Sequence, residues 1–292
     1  NVVNIIASLG LVYLCGMKVE GVALGTLIAQ YAGFLMGIVL WMHNYGRLKR
    51  FWEIKNYKLK IKGGEGAGIW EKGAMFRFFQ VNRDIFLRTL CLVAVTLFFT
   101  SAGASQGEII LAVNTLLMQL FTLFSYVMDG FAYAGEALSG RYIGARNREA
   151  FTDTVRHLFG WGAVIAVLFT LVYALGGNAF LGLLTDDKEV IAVADTYFYW
   201  ALAVPAVGIA AFIWDGIFIG ATATRGMLLS MAAAAVSFFI LYYGLHPVLA
   251  NHALWLAFLT YLLMRGVVQT GLSREVIRRA FPSKKEPAWR EG

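Results

Sequence analysis

A charged side chain inside a long apolar run needs an explanation. At the centre of a hydrocarbon layer it costs at least about 2.5–3.5 kcal/mol on insertion scales, so it needs a partner or a function. Three residues of this chain raise that question. Arg88 sits about one turn into an apolar run, and it either faces an internal cleft and holds a carboxylate or snorkels to headgroups beside Arg83 and Asp84. Asp129 follows FTLFSYVM, either as a proton site or as half of a structural ion pair, with Glu136 seven residues on and Arg141 nearby. Asp215 ends another apolar run beside Gly216, where it would cap the start of the next helix or gate one mouth of a pathway.

Neutral polar residues make a second set. Asn4, Ser8 and Thr26 would lie on two adjacent helices, and Asn114 and Gln119 on a later one. Such groups can orient water around a protonated acid, or simply bond helix to helix, at roughly 0.6 kcal/mol per pair in membranes. The four histidines, His43, His157, His246 and His252, fall at span ends or in loops and are read as interfacial. None has metal-ligand spacing, and Cys15 and Cys91 read as reduced packing residues. No Ser-His-Asp arrangement, phosphate loop or Cys/His cluster is present, so an enzyme is not expected and no cofactor is implied.

The elements that position these residues are membrane helices. The 292 residues are 59% hydrophobic and 15% charged, against about 25% charged in soluble domains. The apolar spans fall at about 1–15, 22–42, 84–100, 109–134, 158–176, 191–213, 226–244 and 252–270. A backbone in lipid must satisfy its own hydrogen bonds, so these eight spans are helices. Runs such as MAAAAVSFFILYY (231–243) do not alternate as barrel strands do. The fold class is therefore an all-α polytopic membrane protein.

Basic residues set its orientation. Of the 25 Lys and Arg, all but Lys18, Lys188 and Arg88 fall in loops or tails on one side, with those from Arg265 onward assigned to the tail. The positive-inside rule makes that side, and the C-terminus, cytoplasmic. This placement also explains the net charge of +7 without nucleic acid. Residues 1–42 then hold the last two helices of one lobe, 43–83 a cytoplasmic linker, 84–270 a six-helix lobe and 271–292 a basic cytoplasmic tail. Gly63, Gly64, Gly66 and Gly68 make part of the linker flexible, and the aromatic, basic stretch 69–80 is either a membrane-surface helix or an ordinary linker helix. Two lobes around a central site are a common plan of secondary transporters. If the lobes match, four helices precede Asn1.

Several motifs carry a family resemblance. Asn4 is followed by Gly21, Ala23 and Thr26 in GVALGTLIAQYAG. MDGFAYAGEALSGRYIGARN (128–147) makes a Gly-rich helix exit, and WDGIFIGATATR (214–225) makes a helix-end motif. Together these resemble the multidrug and toxic compound extrusion family, and within it the DNA-damage-inducible F branch. The resemblance covers essentially the whole chain, as helices five to twelve of twelve. Ser8 stands where many members have an acid, and no acid lies between Val204 and Trp214. The first-helix Asp on which the branch relies is not in this chain.

The resemblance implies a bacterial inner-membrane antiporter that exports small organic compounds, amphipathic or cationic, against inward H+ or Na+ flow. Its partners would be that substrate and the lipid bilayer, with no nucleic acid, and the full-length protein would be a monomer. By resemblance, Asn4, Ser8 and Thr26 line the first-lobe site. The aromatics and methionines, FTLFSYVM among them, suit a cleft for apolar cations. Two other readings stand. One is a lipid-linked sugar flippase of the same superfamily, against which Arg88 counts as the sole Arg inside a span. The other is a truncated fragment without transport.

Overall fold

The computed structural model describes residues 2–14, 16–61 and 72–282. Eight helices account for nearly all of them: α1 (Val2–Tyr13), α2 (Val19–Ile61), α3 (Lys72–Ala104), α4 (Glu108–Gly144), α5 (Arg148–Leu184), α6 (Lys188–Gly220), α7 (Thr224–Leu249) and α8 (Asn251–Ala280). Helices α2 to α8 each contain a stretch long and apolar enough to cross a membrane, whereas α1, at 12 residues, is shorter. A span needs about 20 apolar residues at 1.5 Å each.

The spans are longer than hydropathy suggests, because the helices continue into their polar flanks. Residues 43–61 extend α2 as one helix, and 72–83 are the first turns of α3, continuous with its membrane stretch. The four linker glycines, and residues 69–71 of the expected surface helix, lie outside the described residues. At the other end, 271–280 complete α8, and the tail from residue 283 lies outside the described residues.

The chain forms two compact units, Asn1–Ala74 and Met75–Gly292. In the first, α1 and α2 form an antiparallel pair, turning at Gly16, whose φ of 65° suits glycine. Gly25 rests directly on the backbone of Ser8, leaving no room for a side chain.

In the second unit, α6 packs against α4, α5 and α8, while α7 and α8 form a hairpin around Ala250. The hairpin joints are locally encoded. Asn147 caps α5 by accepting from the Ala150 N–H at 3.0 Å. Asp187 caps α6 by accepting from Glu189 N at 2.9 Å and Val190 N at 3.3 Å. Small residues set the interhelical spacing. Helices α4 and α6 run parallel, with Gly216 against the Ala132 carbonyl and Gly220 against Glu136, Ser139 and Gly140. This small-xxx-small seam lets backbones meet where lipid supplies no hydrophobic drive.

Aromatic rings fill the remaining core. Phe99 meets Trp255 and Phe258, Phe121 meets Phe258, and Phe124 meets Phe169 and Phe212, with centroids 5.1–6.0 Å apart. The FTLFSYVM run is divided by this packing. Phe124 and Met128 are core, while Leu123 and Tyr126 are exposed.

Candidate functional site

Two glycine contacts draw three helices together around one carboxylate. Gly216 brings α6 onto α4, and Gly266 brings α8 onto Ala210 and Ala211 of α6. Each glycine is the neighbour of a charged residue, Asp215 and Arg265 respectively. With α8 so close, Arg265 Nη2 donates to Asp215 Oδ2 at 2.7 Å, and Gln269, one turn on, donates to Asp215 Oδ1 at 2.5 Å. Arg88 of α3 makes a short ion pair with the same Oδ2. Asp215, Arg265 and Gln269 are 7%, 4% and 0% exposed and the Arg88 side chain 21%, so this charge cluster is largely buried in the bundle.

Its surroundings are aromatic. The Arg265 guanidinium lies 5.8 Å from the Phe212 ring centroid and 5.6 Å from that of Tyr261. Next to Asp215, Trp214 donates to Thr270 Oγ1 at 2.9 Å. Charge-assisted bonds in this setting are strong. A buried ion pair nevertheless gains little over apolar packing, because desolvation offsets the attraction. The cluster is also incompletely satisfied: Arg88 Nε, Arg265 Nε and Gln269 Oε1 are buried without hydrogen-bond partners. Stability alone does not account for such a site.

The sequence candidates are placed as follows. Arg88 faces the interior and holds a carboxylate, that of Asp215 in its own unit. Asp215 lies within α6, five residues before its last residue, Gly220, and caps nothing. The expected helix cap is replaced by an ion pair because α6 continues through WDGIFIG. Asp129 is half-buried on α4, near enough to Asp215, Arg265 and Arg88 for their charges to act on it. Among the described residues it makes no ion pair, and none links Glu136 to Arg141.

The neutral candidates separate. Asn114 is buried in a closed clasp. It donates to Asn251 Oδ1 at 2.8 Å, and its Oδ1 accepts from Asn251 Nδ2 at 3.0 Å and Trp255 Nε1 at 2.8 Å. Gln119 is exposed, away from both clusters. In the first unit, Ser8 donates to Asn4 Oδ1 at 2.9 Å, and Thr26 donates to the Val22 carbonyl of its own helix at 3.0 Å.

Arg265 and Gln269 were missed by sequence reasoning. Arg265 lies inside the apolar span 252–270 but is counted with the basic residues of the tail, yet it is buried. It is a second Arg inside the bundle, so the argument that took Arg88 as the sole one falls. The available signal was the apolar sequence after it, GVVQTGL, which carries the helix a further two turns. His252, read as interfacial, accepts from Trp200 Nε1 at 3.1 Å and lies 3.0 Å from the Tyr199 hydroxyl. Among the described residues no group of three or more His, Cys, Asp or Glu is placed to hold a metal.

Comparisons with known proteins agree with this architecture. The sequence profile of the MatE family matches residues 85–248. DNA damage-inducible protein F of Escherichia coli (strain K12) is 39% identical over 267 residues, covering 91% of this chain and 55% of that protein. Protein DETOXIFICATION 42 of Arabidopsis thaliana is 21% identical over 271 residues, 92% of this chain and 48% of that protein. Protein DETOXIFICATION 45, chloroplastic, of the same plant is 26% identical over 133 residues, 46% of this chain and 24% of that protein. The chain thus spans about half the length of the first and second of these relatives, and less of the third.

Proposed function

This chain belongs to the MatE family, and from that premise we propose that it serves secondary active efflux of small organic compounds by cation-coupled antiport. The observation that carries the reading is the Asp215 cluster. A carboxylate, two guanidiniums and an amide from three helices meet inside an apolar bundle and leave buried polar atoms unpaired. Intramembrane ionisable groups of this kind mark ion and substrate pathways. The name DETOXIFICATION, carried by two of the relatives, supports a protective role.

The mechanism is alternating access. Helix α6 is shared between the α4 seam and the α8 pairing, so a change in the ion pairs around Asp215 alters both contacts at once. An ion that binds one facing state better than the other shifts the population toward it by its differential affinity. The substrate is an amphipathic or cationic organic molecule, received by aromatic and methionine side chains, and the coupling ion is H+ or Na+. The protein acts in a bacterial inner membrane, as a monomer, with its C-terminus cytoplasmic as the positive loops direct.

The test is reconstitution of the full-length protein in proteoliposomes, with a fluorescent organic cation loaded and a proton or sodium gradient imposed. Gradient-driven movement of the dye is expected. A full-length, folded protein that moves no dye, nor any other organic compound of a broad panel, under either gradient would overturn the reading.

A further inference from the structure

The cluster around Asp215 has spare donors, and a carboxylate without donors stands beside it. Helices α4 and α6 run parallel and meet at Ala132 and Gly216. Asp129, one turn before Ala132, and Asp215, one residue before Gly216, therefore lie at similar depth on neighbouring helices. The charges acting on Asp129 are Asp215 from α6, Arg265 from α8 and Arg88 from α3. Asp215 receives two guanidiniums and an amide, whereas Asp129, among the described residues, receives nothing. Meanwhile Arg88 Nε and Arg265 Nε are buried without acceptors.

An ionised carboxylate accepts hydrogen bonds only, and a buried donor left unpaired carries a desolvation penalty. Orphan donors and an unpartnered acceptor in one electrostatic neighbourhood describe one half of a two-state arrangement. In the other half, Asp129 would accept from the Arg88 guanidinium.

We infer that Asp129, rather than Asp215, is the residue of this unit that loads and releases a proton, and that Arg88 is shared between the two carboxylates according to its state. This rests on the antiport reading above and names the ion and the group. When a proton is added to the Asp129 carboxylate its charge goes from −1 to 0, and Arg88 belongs to Asp215 alone. When the proton leaves to water, Asp129 regains its charge and competes for Arg88, pulling α3 toward α4 and away from α6. Asp129 is half-buried and takes no donor among the described residues, whereas Asp215 is buried and held by three, so Asp129 is the more accessible of the two carboxylates. A proton fits better than sodium. Sodium wants several oxygen ligands at once, whereas the groups acting on Asp129 include two guanidinium cations.

The experiment is infrared difference spectroscopy of the full-length protein in lipid nanodiscs, titrated with acid and alkali. The signal is the carbonyl stretch of a protonated carboxyl shielded from water. It is expected in the native protein, lost in Asp129→Asn, and retained in Asp84→Asn, which removes another buried carboxyl outside the cluster. Asp129→Glu keeps the band and moves its titration midpoint, which preserves the test should Asp129→Asn fail to fold. Persistence of the native band in a folded Asp129→Asn, an unmoved midpoint in Asp129→Glu, or its replacement by sodium at constant pH would each overturn the assignment. None of these readings needs transport, so absence of efflux would count against the antiport reading and not against proton loading.

Discussion

The bundle contains two buried polar clusters of opposite character. At one end of α8, Asn251 and Trp255 close with Asn114 of α4 into a neutral clasp whose amides are reciprocally bonded. Further along the same helix, Arg265 and Gln269 join Asp215 and Arg88 in a charged cluster that leaves three buried atoms unpaired. Both sit in apolar surroundings, and both tie α8 to other helices. The clasp is what a structural fastening looks like when each group has found a partner. On the proposed antiport reading, the unpaired atoms of the charged cluster leave it free to rearrange, since a fully satisfied network would be held in one state.

The largest effect expected from breaking this contrast is on Asp215. Asp215→Ala leaves the Arg265 and Arg88 guanidiniums uncompensated, and stability should fall by about 3–5 kcal/mol, read by denaturant titration in detergent. Adding Arg265→Met to Asp215→Ala removes the more deeply buried of the two stranded guanidiniums and should recover part of that loss, with Arg88 still unpaired. Next comes the clasp. Asn114→Ala strands the Asn251 amide and the Trp255 N–H, costing about 1–3 kcal/mol. Adding Asn251→Ala should cost far less than its own single effect, which a double-mutant cycle would read as coupling. The smallest effect is at Gln119, which is exposed and belongs to neither cluster. Gln119→Leu should change stability by no more than about 0.5 kcal/mol, measured in the same titration.

Much of this was legible in the sequence, for a physical reason. Length and apolarity decide whether a segment can cross a membrane, so α2 to α8 stand out from hydropathy alone. Arg88 and Asp215 declared themselves because each interrupts or ends an apolar run. Their mutual pairing did not, since a sequence separation of 127 carries no trace of which helices meet. Arg265 was misplaced for a related reason. An Arg near the end of a span is easily grouped with the basic residues that follow it, and only its burial against Asp215 shows that it belongs to the bundle. Asn114 and Gln119, five residues apart on one helix, were indistinguishable by type, and packing sends one into the core and the other out.

On the antiport reading the charged cluster is the working part and the amide clasp a fastening. The most direct measurement is gradient-driven efflux of an organic cation by full-length protein in proteoliposomes, normalised to folded protein, for Asp215→Asn and Asn114→Ala. The account predicts that Asp215→Asn abolishes efflux, while Asn114→Ala transports at close to the native rate per folded molecule. Native efflux by a folded Asp215→Asn, with loss in a folded Asn114→Ala, would contradict it.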